Sequence, residues 1–441
     1  MVNRDQKAVE RFFNNSNVKV EELIEQVRAE CGERCPEEHV LVLQDTSELN
    51  YNSLNGKLKV QDKDLGVLSD NRSTGIFVHA GLAIDAALKL PIGFGSISLY
   101  NHHFNRASKQ ERNYQTQAIE EKRSYRWLET LDKSREVLSD ATKMTVIADR
   151  ESDIYELFAR PRGSAVELLV RSSWNRRIGQ GGLIREYLEQ QAWQGRLSIE
   201  IKGDNGRKKR TADLQIRWCG VDILKPSKKK GIMAAYPDQV CVQVVQVKEH
   251  PQSVPSDEEP IEWYLLTSHP VDELEDALQI VTWYTYRWWI EELFRLIKTQ
   301  GFQIERSQFS TGAALKKLIV LTLQEALNVL TMKQGRDGES AAPARVCFND
   351  EQQQVLALVE ARVQGNTAKQ QNSFAPHSLA WATWIIARLG GWKPADMMKK
   401  PPGVITLKRG LKRFNQQVEG WQMAQQFAIN KQPPDKVVGG D

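Results

Sequence analysis

Apolar positions near the start recur at helical spacing. Residues 6–28 carry Val9, Phe12 and Phe13 on one short stripe and Val20, Leu23, Ile24 and Val27 on a second, with the polar NNSN between them. Two amphipathic helices are predicted, too small to form a core alone. The texture then changes to short apolar runs. HVLVLQD reads as a strand ending at Asp45, 76–83 and 94–100 as two more strands, and SYRWLETLDKSREVL as a helix. MTVIAD reads as a strand that closes on Asp149, and ESDIYELFARP as a helix stopped by Pro161. Strands interleaved with helices in this order predict an α/β fold, a mixed sheet with helices covering its faces.

From about 165 to 270, AVELLVRS, GRLSIEI, RKKRTADLQIRWCGVDI, VCVQVVQVK and IEWYLLTS are strand-like pieces separated by turn-forming and charged residues, which predicts an inserted β-rich region. Helical periodicity resumes near Val271. It continues through a Trp- and Tyr-rich segment into KKLIVLTLQEALNVLTM, and returns at HSLAWATWIIARLGGW, where glycines stop it. The polar end, NKQPPDKVVGGD, predicts a loosely ordered tail.

Composition narrows the function classes only slightly. Of 441 residues, 41% are hydrophobic and 26% charged, the balance of a globular protein rather than a disordered chain. No apolar run reaches membrane-spanning length and no signal-peptide core opens the chain, so the expectation is a cytoplasmic protein without a membrane partner. Sixty Lys and Arg against 56 Asp and Glu leave a net charge of +4, which neither requires nor excludes nucleic acid. The distribution says more: 202–230 and 393–413 are locally basic, as phosphate-gathering patches or as solvated turns. The five cysteines form neither a disulfide framework nor a zinc-finger spacing, and no Gly-rich phosphate loop is present.

The sharper signal comes from acids. Asp45 and Asp149 each end an apolar strand, the place where catalytic groups collect in open α/β sheets. Adjacent parallel strands would bring the two carboxylates together, an arrangement that calls for a hard cation such as Mg²⁺. Either aspartate alone is also a normal turn former or helix cap. A third acid is available in YTYRWWIEELFRLIK. At 100° per residue, Arg287 and Glu291 lie about 40° apart and Glu291 and Lys298 about 20° apart, so Tyr284, Arg287, Glu291, Arg295 and Lys298 share one helical stripe. A surface ladder of i,i+4 ion pairs has the same spacing.

Taken together, these segments resemble the DDE transposases of the insertion-sequence-4 family, most closely the transposon Tn5 type. Tyr284, Arg287, Glu291 and Lys298 reproduce that group's spacing of Tyr, Arg, Glu and Lys, while DTSELNY at Asp45 and ADRESD at Asp149 resemble its segments with the first two acids. The resemblance implies an RNase H-like core with an inserted antiparallel β region and a helical C-terminal region. It implies a partition into 1–36, a remnant of an amino-terminal DNA-binding domain; 37–164 and 271–335, the two parts of the catalytic core; 165–270, the insertion; and 336–441, a dimerisation region centred on HSLAWATWIIARLGGW. Asp45, Asp149 and Glu291 would hold two Mg²⁺ ions, with Mn²⁺ as a substitute, for in-line cleavage and strand transfer. Tyr284, Arg287 and Lys298 would meet phosphates, Arg171 would touch DNA, and Trp263 would stack on a flipped base unless it is simply core.

The implied partners are transposon-end and target DNA and a second copy of the chain, in a cytoplasmic, nucleoid-associated protein. Relatives carry a longer amino-terminal region than RFFNNSNV, so a shortened regulatory form that pairs with and inhibits a full-length transposase is a second expectation. A metal-dependent nuclease without transposition is a third.

Overall fold

The structure, a computed structural model, describes residues 4–54, 62–102, 117–201, 209–227, 233–394 and 400–430. In chain order these form α1 (Arg4–Asn14), α2 (Val20–Glu33), β1 (His39–Asn50), β2 (Gly66–Val67), β3 (Thr74–Asp85), β4 (Leu90–Tyr100), α3 (Tyr125–Val137), β5 (Lys143–Ala148), α4 (Tyr155–Ala159) and β6 (Val166–Arg171). There follow α5 (Ile184–Glu189), β7 (Gly195–Ile201), β8 (Arg210–Leu224), β9 (Gln239–Glu249), β10 (Glu262–Thr267), α6 (Leu274–Thr285), α7 (Trp288–Arg295), α8 (Gly312–Gln334), α9 (Asp350–Val363), α10 (Leu379–Leu389) and α11 (Val404–Asn430). The described residues fall into two units, one within 1–87, 92–295 and 304–322, the other within 88–91, 296–303 and 323–441.

In the first unit the strands make one sheet in the order β2-β3-β1-β5-β6-β10-β9-β8-β7, with β4 paired to β3. β1, β5 and β6 are parallel, while β3 runs antiparallel to β1. The strands of the insertion continue the same sheet antiparallel from β6 through β10, β9 and β8 to β7, so the insertion is an extension of the core and not a separate layer. This is an RNase H-like sheet with inserted antiparallel strands.

Period-two alternation sorts β1 and β5 into two faces. Val40 and Val42 with Met144, Val146 and Ala148 join Trp127, Leu128 and Leu131 of α3 in one apolar cluster. His39 takes the opposite face, edge-on to Trp283 of α6 at 4.9 Å. α3 lies close because two strand positions lack a side chain: a Cβ at Gly95 would stand 2.7 Å from the Ser134 hydroxyl oxygen, and one at Gly81 would stand 2.9 Å from Thr130 Cγ2. Strands covered on both faces explain the near-continuous burial of β3 and of β1 from Val40 to Gln44.

Several elements differ from the expectations. β1 does not end at Asp45 but runs on to Asn50, held by β3 after its pairing with β5 has ended at Leu43. ESDIYELFARP gives a single tight turn, Arg150–Ser152, capped by Asp149, and the short α4, with the buried Asp153 between them turned to accept the Ser173 N–H from a distant loop. Of the first helical stripe only Phe13 is buried, against Phe309 at 4.7 Å, whereas Val9 and Phe12 are exposed. The predicted stripe from Tyr284 to Lys298 is not one helix. α6 stops at Thr285, α7 begins at Trp288, and a π-helical turn, Leu296–Gln300, follows. The tail 431–441 and parts of both basic clusters, 202–208, 228–232 and 395–399, lie outside the described residues.

In the second unit α10 is the core. Every residue from Leu379 to Ala387 is buried, the Trp381 indole donates to Glu360 at 2.9 Å, and Phe348 meets Phe414 edge-on at 5.6 Å. α11 packs against α10 at Gly410, where an added Cβ would fall 1.8 Å from the Ile386 carbonyl oxygen. The apolar run in HSLAWATWIIARLGGW is therefore interior and is not itself a face for a second copy.

The α6 face of the first unit also holds two histidines, His39 half-buried and His269 buried. His39 and His269 both reach the Thr145 hydroxyl, at 2.8 and 2.7 Å; the hydroxyl can accept from one ring but can donate only to a ring that is neutral. Burial pushes His39 down to about 4 and His269 to about 3, with Lys143 adding to both. Because the folded values lie below the ordinary one near 6.5, their stabilisation is complete above that pH and is lost as pH falls toward the folded values. Melting measured from pH 7.5 to 4.5 should show a loss on the order of 2 kcal/mol by pH 5. His39→Gln with His269→Gln should flatten that decline; an equally steep decline in the double variant would place the acid sensitivity elsewhere.

Candidate active site

The parallel register of β1 and β5 sets Leu43 opposite Ile147, and two residues further on each chain presents an aspartate on the same face. Asp45 and Asp149 share the side of the sheet toward α6 and α7, as His39 and Thr145 do. Each carboxylate uses one oxygen locally. Asp45 Oδ1 accepts the Thr46 N–H at 2.7 Å, and Asp149 Oδ1 accepts the Glu151 N–H at 2.9 Å as the cap of the Arg150–Ser152 turn. Capping and convergence thus coexist, because a carboxylate has a second oxygen to offer.

Glu291 enters from α7, which packs on β1. Arg287, in the joint between α6 and α7, donates through Nη2 to Glu291 Oε1, and its Nη1 stands 3.6 Å from Asp45 Oδ2. The Asp45 carboxyl is pushed up to about 7, first by burial and further by the negative charges of Asp149 and Glu291, against the Thr46 N–H and Arg287. Asp45 therefore feels the charges of both other acids, with too little positive charge beside it to keep it a normal carboxylate. Among the described residues no three His, Cys, Asp or Glu side chains are grouped so as to hold a metal ion as they stand, and Arg287 spans Asp45 and Glu291 instead. In donor chemistry the set suits a hard divalent cation: three carboxylates, one of them short of counter-charge.

A cavity of about 530 Å³ opens in the same unit, lined by Arg150, Arg171, Ser172, Ser173, Arg185, Trp263 and Tyr264 among others. It is built from the β6–β10 pairing, in which Arg171 is opposite Leu265 and donates to the Glu262 carbonyl at 3.2 Å. Trp263 is half-buried and meets the buried Tyr284 at 5.5 Å, and the Arg287 guanidinium lies over the Tyr284 ring at 5.9 Å. Trp263, Tyr284 and Arg287 thus form a contact chain from the cavity toward Asp45 and Glu291. Lys298, by contrast, belongs to the second unit, on the π-helical turn.

Sequence reasoning passed over three groups here. Arg150 was visible beside Asp149 in ADRESD. Arg185 gave no signal because α5 is too short to show a period; its guanidinium lies over the Tyr264 ring at 4.9 Å. Asp153, fully buried, binds Arg176 at 2.6 Å and accepts the Ser173 and Trp174 N–H groups, fixing the loop on one side of the cavity.

Sheet order, inserted antiparallel strands and helical cover define an RNase H-like domain. The chain belongs to the transposase DDE domain family, whose pattern matches residues 96–324, more than half of its length. That stretch contains Asp149 and Glu291 and begins after Asp45. Among solved structures, the chain is similar to the piggyBac transposase in a cryo-EM synaptic complex with hairpin DNA, at 12% identity over 85% of this chain and 68% of that one, with a TM-score of 0.32. Among the described residues no helix is long and apolar enough to cross a membrane.

Proposed function

We propose that this chain is a metal-dependent DNA transposase of the insertion-sequence-4 group, transposon Tn5 type, that cuts and joins DNA at transposon ends. One observation carries it: Arg287 reaches both Asp45 and Glu291, and the charges of Asp149 and Glu291 help to raise the Asp45 carboxyl, in the same unit as a cavity lined by Arg171 and Trp263. Asp45, Asp149 and Glu291 would hold the divalent ions, Mg²⁺ or Mn²⁺. When bound, two such ions supply nucleophile activation and leaving-oxygen stabilisation for in-line displacement.

The chain's own groups do the rest. Arg287 bridges Asp45 and Glu291, and with divalent ions held by the acids its guanidinium would be available to a phosphate next to the scissile bond. Tyr284 and Lys298 add phosphate contacts. Trp263 and Arg171 receive an extrahelical base and its phosphate in the cavity, which exposes the end for hairpin formation. A homodimer follows from the same reading. Since α10 is interior, the surface for it within 336–441 falls to α11, whose Met423 and Phe427 are 59% and 69% exposed.

The test uses the purified chain, labelled DNA comprising its gene with flanking sequence, and Mg²⁺. Nicks with 3′-hydroxyl ends, hairpin ends and joined products, all lost with EDTA, are the expected result. Cleavage without hairpins or joining would make it a nuclease. No product from the chain alone, with suppressed joining by an upstream-extended version mixed with it, would make it a regulatory form.

A further inference from the structure

Behind the acids, on the α3 side of the sheet, a single guanidinium touches both aspartate segments. Arg126 projects from α3 with its side chain 11% exposed. Its Nε donates to the Thr46 hydroxyl at 3.1 Å, its Nη2 to Glu151 Oε2 at 2.6 Å, and its Nη1 to the Arg123 carbonyl at 2.8 Å. Thr46 and Glu151 are the residues whose backbone N–H groups orient the Asp45 and Asp149 carboxylates. Alternation explains how: Asp45 and Thr46 are neighbours in a strand, so one side chain faces α7 and the other α3. The Thr46 hydroxyl, having accepted from Arg126, can donate to His79 Nδ1 at 2.8 Å, and His79 is buried and edge-on to Trp127 at 4.7 Å.

We propose that Arg126 is a positioning residue that sets the spacing and aim of Asp45 and Asp149 by gripping the residue that orients each. This rests on the reading of those carboxylates as metal ligands. The geometry is that of a partner behind the ligands: Arg126 contacts neither carboxylate, and its planar fork holds two separated acceptors at a fixed spacing, which the compact, rotatable ammonium of a lysine does not set. Its own packing is secured independently by the Arg123 carbonyl and by the Trp127 ring, 5.1 Å from Cζ. Losing the grip should therefore loosen the acids more than it loosens α3.

The experiment measures Mn²⁺ binding to the full chain by electron paramagnetic resonance, DNA affinity in Ca²⁺, and melting temperature. Arg126→Ala should weaken Mn²⁺ binding about 10- to 100-fold, the range for partners behind metal ligands. DNA affinity should stay within about twofold, since the α3 face is not the phosphate-binding one. Thr46→Val and Glu151→Ala should each weaken Mn²⁺ binding in part, and Arg126→Ala added to that pair should cost little more, because all three cut one connection. Arg126→Lys should not restore binding, and full rescue would overturn the two-sided grip. Should Arg126→Ala fail to fold, Thr46→Val and Glu151→Ala decide, and unchanged Mn²⁺ affinity in both would overturn the proposal. Binding lost in Asp45→Ala but intact in Arg126→Ala, Thr46→Val and Glu151→Ala would sink this inference alone. Equal binding by wild type and Asp45→Ala, or none by either, would sink the metal reading and this inference with it.

Discussion

Asp45→Asn should leave a folded protein that no longer cuts DNA. The substitution keeps the shape and the oxygen that accepts the Thr46 N–H, but removes the charge that a divalent ion needs from its central ligand. The cleavage rate should fall by about a thousandfold or more, roughly 4 kcal/mol of barrier. Stability should move the other way. The carboxyl is held up to about 7 by burial and by its two acidic neighbours, so its contribution to folding is full below the unfolded value near 3.8 and is lost as pH rises through 7. At pH 8 and without metal, Asp45→Asn should therefore melt above the wild type, by at most a few kcal/mol. Mg²⁺ should raise the wild-type melting temperature and leave the variant's unchanged. Asp149→Asn and Glu291→Gln should also abolish cleavage. Cleavage by any of the three at near wild-type rate would remove that acid from the assignment.

Trp263→Ala should separate two steps of the same reaction. The ring is half-buried and flanks the cavity that also holds Arg171, with Tyr284 behind it. A stacked base is worth roughly 1 to 3 kcal/mol, so hairpin formation should slow by about fivefold to 150-fold, while the first nick, made on stacked duplex, should change little. Trp263→Phe should recover most of the loss. Equal slowing of both steps, with a lowered melting temperature, would mean that the indole supports β10 and the cavity has another use.

The parts legible in the sequence were those that depend on local pattern. MTVIA, AVELLVR and VCVQVVQV are apolar runs that no helix of comparable length would use, and each is a strand of the sheet. Both aspartates stood out as polar residues at the edge of such runs, and Glu291 through its spacing from Tyr284 and Arg287. What local pattern could not show was where regular geometry breaks. The wheel that aligned Tyr284 with Lys298 assumed an unbroken 100° step, whereas the chain leaves helical geometry at Tyr286–Arg287 and widens into a π turn after Arg295. β1 was cut short at Asp45 because TSEL is polar, although β3 supplies a backbone partner as far as Asn50. α11 was missed because its apolar residues are diluted by Lys, Arg and Gln. Arg126 was invisible because an arginine in an amphipathic helix normally reads as a solvated one.

The continuity of the sheet limits what protein engineering can do with the insertion. β10 is hydrogen-bonded on one side to β6 and on the other to β9, with Arg171 opposite Leu265 and Trp263 opposite Val247. A strand reverses every side chain when it slips by one position. Transplanting 172–262 from a homologue, or trimming the β9–β10 connection, would therefore succeed only at junctions that keep this parity. A one-residue error would turn Trp263 to the opposite face of the sheet while Arg171 stayed where it is, giving a folded hybrid with an empty cavity wall. Changes of two residues at either junction preserve the facing, so a deletion series across 250–261 should alternate between competent and incompetent hybrids.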